Sequence, residues 1–315
     1  MKKKFIITMD TEGDNLWKWK QGDPIITENT RYLNRFQNLC NGFGFKPVWL
    51  SNYEMLSDSR FVDFICRVEE DGTGELGMHL HAWNTPPEFA LKNEKGGAPY
   101  LIEYPEWMME EKICTMTEII KSRTGIIPVS HRAGRWAMNK VYFELLEKYG
   151  YKVDCSVTPH ISWLTSVGQT ENSYGPDYRG FPEEPYKMGN VLEVPLTVRV
   201  SHTPYFTDLS SIRNIAKTIY HSIRGRTLWL RPNGHNKKEM KNLIDLILKS
   251  ETDYIMFMLH SSELMPGGSP LFANEADIES LYQDIEEIFS YMTKSFKGVT
   301  LREYEGYCTQ KQFHG

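Results

Sequence analysis

Two short segments of this chain carry acid–base or metal-binding side chains two residues apart. In Thr8-Met9-Asp10-Thr11-Glu12-Gly13-Asp14 an apolar run that begins at Phe5 ends in carboxylates, and in Glu75-Leu76-Gly77-Met78-His79-Leu80-His81 a second run ends in imidazoles. In a strand, alternation puts Asp10 with Glu12 on one face and His79 with His81 on one face. Two imidazoles at that spacing can converge on a single ion, as in many zinc sites, and two carboxylates can supply one hard ligand and one general base. Taken singly, the first segment reads equally as a solvated acidic turn, and a lone histidine in the second as a packed or capping residue. Both pairs fall at strand ends, which favours the metal reading. A third segment, Ser130-His131-Arg132-Ala133-Gly134-Arg135-Trp136, sets two guanidinium groups around a glycine expected to free the backbone for a sharp turn. An arginine beside a buried carboxylate holds its charge and orientation; either arginine reads equally as a surface ion-pair partner. The apolar run Tyr254-Ile255-Met256-Phe257-Met258-Leu259 then delivers His260, followed by Ser261, Ser262 and Glu263. An imidazole there titrates near neutrality and suits a general acid for a leaving amine, the alternative being a histidine tied to neighbouring backbone.

The elements that must position these groups are short apolar runs alternating with helical patterns, the signature of a mainly parallel sheet with crossover helices. Strands are expected at Phe5 to Asp10, Lys46 to Leu50, Leu76 to His81, Val129 to His131, Tyr151 to Cys155, Val191 to Val198, Thr227 to Leu230 and Tyr254 to Leu259. Helices are expected at Glu28 to Cys40, Glu106 to Ser122, Asn139 to Lys148, Ile212 to Ile223, Lys237 to Lys249 and Glu275 to Lys294. Asn236 with Glu239, and Asn274 with Asp277, read as N-terminal caps, and Gly42, Gly125 and Gly150 as helix stops. The fold class is therefore α/β, a (β/α) barrel of seven or eight mainly parallel strands that is incompletely closed, with the chemistry at its C-terminal rim. Residues 1–315 are expected to form one domain. The connection from Thr158 to Asn190, with Trp163, Tyr174, Tyr178, Phe181 and Tyr186 among prolines and glycines, is too long and too aromatic for a plain turn. It is expected to wall a substrate site at the barrel mouth; an aromatic mini-core under a loop is the plainer reading.

Bulk composition bounds the partners. Lys plus Arg total 36 against 41 Asp plus Glu, a formal charge of -5, so the cationic excess that neutralises phosphates in nucleic-acid binders is missing. No apolar run reaches membrane-spanning length, and the one after Lys2, Lys3 and Lys4 is too short for a signal peptide. The five cysteines are scattered and never spaced as CxxC, unlike a disulfide framework or a zinc ribbon. A cytoplasmic location is expected.

In order along the chain, Thr-Met-Asp-Thr-Glu-Gly, Gly-Met-His-Leu-His, His-Arg-Ala-Gly-Arg-Trp, Asp-Cys-Ser and Leu-His-Ser-Ser-Glu resemble the motif series of the NodB-type polysaccharide deacetylase superfamily, over Thr8 to Glu263. The family's adjacent aspartates are here Asp10-Thr11-Glu12, and its histidines, usually four apart, are His79-Leu80-His81; the arginine motif lacks its usual proline. The chain thus resembles a divergent, surface-polysaccharide-associated branch. The resemblance implies a metal-mouthed distorted barrel with Asp10 as catalytic base, Glu12, His79 and His81 as ligands of one divalent ion, and Arg132 orienting the base. It also implies His260 as the acid, with Arg135, Trp136 and Asp154 around the pocket; Trp163 is expected to join them from the aromatic loop. Zinc is the expected ion. The activity implied is removal of an acetyl group from an N-acetylated sugar; the expected cytoplasmic location makes a nucleotide- or lipid-linked precursor of a surface polysaccharide the expected carbohydrate partner. Two other readings remain open: a glycoside hydrolase pairing Asp10 or Glu12 with Glu263, and a carbohydrate-binding relative without activity.

Overall fold

The computed structural model describes residues 2–20, 22–92, 98–202 and 225–314. At its centre lies β1 (Lys3–Thr11), flanked in parallel by β2 (Pro47–Ser51) on one side and by β10 (Tyr254–His260), with the short β11 (Phe296–Gly298), on the other. From β2 the sheet continues in parallel through β3 (Glu75–Leu80), β4 (Ser130–Ala133), β5 (Val153–Asp154) and β7 (Val191–Glu193); β6 (Tyr186–Met188) adds an antiparallel edge. The sheet is curled and mainly parallel, a half-barrel of the kind an incompletely closed (β/α) barrel, expected from the sequence, would give. The curl is not closed by a ladder between β7 and β10. Instead Tyr254 Oη donates to Pro195 O, Met256 N to Thr197 Oγ1 and Met258 N to Leu230 O. The expected strand from Val191 to Val198 is consequently two: β7, and β8 (Val198–Ser201), which turns away to pair antiparallel with β9 (Arg226–Trp229). Pro195, lacking an N–H, sits in the break.

Side chains alternate between two apolar layers. Phe5, Ile7 and Met9 of β1, with Leu76 and Met78 of β3 and Phe257 and Leu259 of β10, join the large cluster built with the helices. Ile6, Val48, Leu50, Val153, Met256 and Met258 form a second cluster, so Thr8, Asp10, His79 and His260, in step with Ile6 or Met258 or facing them, belong to the interior row. The register pairs Asp10 with His260 on one side of the sheet and His79 with Arg132 on the other, the second pair lying two residues nearer the C-terminal rim, since Asp10 stands level with Leu50 and Leu50 with Gly77.

Several helices match expectation, among them Glu106–Thr124, Lys140–Lys148, Lys237–Lys249 and Glu275–Met292. The first begins as a 3-10 turn, Glu28–Tyr32, before the helix Leu33–Gly42. Asn274 caps its helix by accepting from Asp277 N, whereas the Asn236 side chain makes no cap bond and instead accepts from Asn233 N and donates to Arg231 O. Helices at Ser59–Glu70 and Leu301–His314 were not expected. The expected helix from Ile212 to Ile223 lies outside the described residues. No helix among the described residues is long and apolar enough to cross a membrane.

Candidate active site

Glu12, His79 and His81 converge at the C-terminal rim, all buried, with donor atoms within 4.8 Å of one another. The two Nε2 atoms lie 2.9 Å apart, and Glu12 Oε2 is 3.2 Å from that of His81 and 3.7 Å from that of His79. His79 Nδ1 donates to Arg132 O at 3.0 Å, which puts its proton on Nδ1 and leaves the Nε2 lone pair facing its neighbours. His81 Nδ1 faces the amide of Asn52, whose Oδ1 is buried without a hydrogen-bond partner. The amide nitrogen donates to Glu54 Oε1, a carboxyl pushed up to about 7 by burial. Two imidazole lone pairs and a carboxylate fit a divalent ion of the zinc class, with positions left open toward the cleft.

Asp10 lies immediately inside this trio and is taken by a different partner. Arg132, fully buried, donates Nη1 to Asp10 Oδ1, Nη2 to Thr8 Oγ1 at 2.9 Å and Nε to Cys155 O at 3.1 Å. Burial raises the Asp10 carboxyl, but Arg132, His79 and His260 outweigh it, and the group sits below the ordinary aspartate range. Glu12 is likewise lowered: burial opposes, and His260, His79 and His81 prevail. The two histidines diverge. His79 is raised, because Asp10 and Glu12 overcome burial, while His81 is lowered by burial and by His79. A site with two ionised carboxylates and a neutral His81 is ready to take a cation without first shedding protons from all its ligands.

His260 closes the other side, its Nε2 3.9 Å from both Asp10 Oδ2 and Glu12 Oε1. Behind it, Nδ1 is 3.1 Å from Glu263 Oε2 and 3.1 Å from Arg231 Nη2, and Glu263 also accepts from His260 N. Trp17 packs edge-on against the imidazole at 5.2 Å and anchors its Nε1 on Ser262 Oγ.

These groups line a cleft of 370 Å³ whose walls include Trp17, Trp83, Trp136, Trp163 and Arg135. The loop from Thr158 to Asn190 therefore reaches the mouth, as expected, through Trp163, which stacks nearly parallel to Trp136 at 6.1 Å. Gly134 acts by space rather than torsion: a Cβ there would meet Leu80 O at 2.5 Å and His81 Cδ2 at 2.8 Å. The turn itself is made by Arg135 and Trp136, whose φ values of 55° and 65° are unusual for residues with side chains. That conformation is held by Arg135 donating to Ala98 O, Ser166 Oγ and Val167 O, and by Tyr178 Oη donating to Trp136 O.

Asp154 is placed elsewhere than expected. It pairs in register with His131, is fully buried, accepts from His131 Nδ1, Ser156 N and Ser156 Oγ, and does not line the cleft. Strand alternation turns both residues away from Arg132, toward Tyr142, whose hydroxyl meets His131 Nε2 at 2.8 Å. Beside Asp154, burial and its charge push the Glu193 carboxyl well up. Four further residues stand at the site without having been expected there: Trp17, Trp83 and Arg231 in the cleft wall and Asn52 beside His81. Trp83 continues the alternation of His79 and His81 and stacks on His81 at 4.2 Å, and Arg231 follows directly on an expected strand; both signals were present.

No family model and no curated protein matches the chain. Among solved structures it resembles a protein from Mycobacterium smegmatis assigned as a polysaccharide deacetylase, at 14% identity and a TM-score of 0.53, over 99% of this chain and 92% of that one. It also resembles the Puue allantoinase, at 14% identity and a TM-score of 0.52, over 96% of this chain and 88% of that one. With the 4-alpha-glucanotransferase of Thermococcus litoralis it shares 12% identity at a TM-score of 0.56, covering 96% of this chain but 40% of that enzyme. The likeness is one of fold, the fold that the motif series implied. Three different activities stand on it, so the side chains at the rim must decide the chemistry.

Proposed function

We propose that the protein is a NodB-type, metal-dependent hydrolase that removes an acetyl group from an N-acetylated sugar of a surface-polysaccharide precursor. One observation carries this reading: Glu12, His79 and His81 converge as an N/O donor set beside a carboxylate that is separately held by a buried arginine. Glu12, His79 and His81 would hold the ion, which when bound polarises an amide carbonyl and makes water a nucleophile at neutral pH. Asp10, kept ionised by Arg132, has Oδ2 free on the cleft side to take the proton of the attacking water. His260 presents Nε2 toward the same point and delivers a proton to the departing nitrogen, its ring set by Glu263, Arg231 and Trp17. Arg132 touches no open space and is a positioning residue. The stacked indoles of Trp136 and Trp163 offer flat apolar faces for a sugar ring.

The glycoside hydrolase reading needs a second carboxylate across the cleft. Glu263 cannot serve, because it is fully buried, bound to His260 and Arg231, and absent from the cleft lining. The test is metal analysis of protein purified without chelator, followed by acetate release from N-acetylated sugars, free and as nucleotide- or lipid-linked forms. About one divalent ion per chain and acetate release abolished by chelation are expected. Absence of bound ion together with no zinc uptake defeats the proposal, and sugar binding without acetate release would mark a binding protein instead.

A further inference from the structure

A second cavity, of 340 Å³, lies next to the cleft and shares one wall with it, the indole of Trp83. Its lining comes from three places in the chain: Trp19 from the loop after β1, Ala82 to Ala90 in part from the segment after β3, and Pro99, Tyr104 and Lys112 from the approach to and body of helix Glu106–Thr124. Four rings, those of Trp19, Trp83, Phe89 and Tyr104, border it. Trp19 and Trp83 stand tilted at 6.5 Å, and Phe89 and Tyr104 at 6.2 Å. Lys112 and Glu88 add the polar edge. The Lys112 ammonium fixes this wall by donating to Thr85 O and Pro87 O, at 2.5 and 2.8 Å. Trp83 is stacked through one face on His81, and its Nε1 is buried without a hydrogen-bond partner.

We propose that this cavity is a second carbohydrate subsite, taking the neighbouring ring of an oligosaccharide whose acetylated ring sits in the cleft. Its volume nearly equals that of the cleft, and both lie near the lower end of the range of about 300 to 1,000 Å³ for small-ligand sites, so each suits a unit of similar size. Aromatic faces rimmed by a few polar groups are the surface that a ring with apolar faces and hydroxyl edges requires. Two such cavities separated by one indole match a linear chain of rings better than one bulky ligand. The proposal rests on the deacetylase reading only for which ring loses its acetyl group; the binding itself stands apart from it.

The experiment uses N-acetylglucosamine and its β-1,4-linked dimer, trimer and tetramer as probes, with tryptophan fluorescence for affinity, acetate release for turnover and elemental analysis for metal. The full-length wild-type protein is compared with Trp19→Ala and, because Trp19 also braces its own loop through Asp23 O, with the surface change Phe89→Ala. Wild-type affinity should rise from monomer to longer oligomers, and each variant should lose roughly three- to tenfold on the oligomers with monomer affinity and metal content unchanged. Affinity independent of chain length, no binding of any probe, or variants that bind oligomers like the wild type would overturn the subsite. Length-dependent binding without acetate release would keep the subsite and sink the deacetylase reading. Acetate release at equal efficiency from monomer and trimer would do the reverse.

Discussion

Replacing Arg132 by Met tests the arrangement at its most buried point. The substitution keeps most of the apolar stem and removes the only guanidinium bonded to Asp10 among the described residues. Both partners are sealed, Arg132 at 0% and Asp10 at 2% exposure, and removing one member of such a pair typically costs about 3–5 kcal/mol. The effect should depend on pH, with a sign that the geometry fixes. In the wild type the folded Asp10 value lies below the unfolded one, so its contribution to stability is present above about pH 4 and is lost as pH falls through the folded value. Without Arg132, burial and the Glu12 charge raise the folded value instead, and the variant is penalised for ionising Asp10. The gap in stability between wild type and variant should therefore widen from pH 5 to pH 8. A protonated Asp10 cannot accept a proton from water, so turnover should fall by about 10²- to 10⁴-fold, the scale of a lost general base. The acid limb of kcat/KM should also move upward. Denaturant melts at several pH values, pH–rate profiles and metal content are the measurements. A variant with full metal, an unmoved acid limb and activity within about tenfold of wild type, or a stability gap that is flat with pH, would refute the role assigned to this pair.

Other outcomes follow from the same geometry. Asp10→Asn should retain the ion and lose turnover by roughly a hundredfold or more, whereas Glu12→Gln should lose ion affinity, with activity partly recovered in excess metal; side-by-side metal occupancy and rate measurements check both, and the opposite pattern would exchange their roles. Chelation should lower the melting temperature, since an ion at 100 times its Kd adds about 2.7 kcal/mol to the folded state; an unchanged melt would argue against a tight site. Trp163→Ala should raise KM several-fold, leaving kcat and metal content near wild type, because it removes a stacking wall and no reacting group; a kcat loss without a KM change would contradict the wall assignment.

How much of this was legible in the sequence depended on whether one strand or several had to be known. Asp10 with Glu12, and His79 with His81, could be read because period-two alternation is a local property, and an apolar run ending in such a pair names both the face and the end of the strand. The same rule extended by two residues reaches Trp83, and the residue after the expected Thr227 to Leu230 strand is Arg231. The helix Ser59–Glu70 was equally readable: Phe61, Phe64, Ile65 and Val68 keep a period near 3.6, and Asp58 before them accepts from Arg60 N as a cap.

What could not be read was decided between strands. Asp154 sits at the end of a strand like the others, but β5 is only two residues long, and its pairing with β4 puts Asp154 beside His131 on the helix-facing side rather than beside Arg132. A one-residue difference in register turns a pocket carboxylate into a buried structural one. The proton on His79 is set in the same way, by a carbonyl belonging to Arg132 on the adjacent strand. Arg132 thus fixes two groups at once: its backbone oxygen points the His79 lone pair at the ion site, and its side chain keeps Asp10 ionised beside it. Displacement of this one residue on β4 would disturb His79 and Asp10 together, so the proposed division of roles between Glu12, to hold the ion, and Asp10, to take the proton, rests on a strand that carries neither.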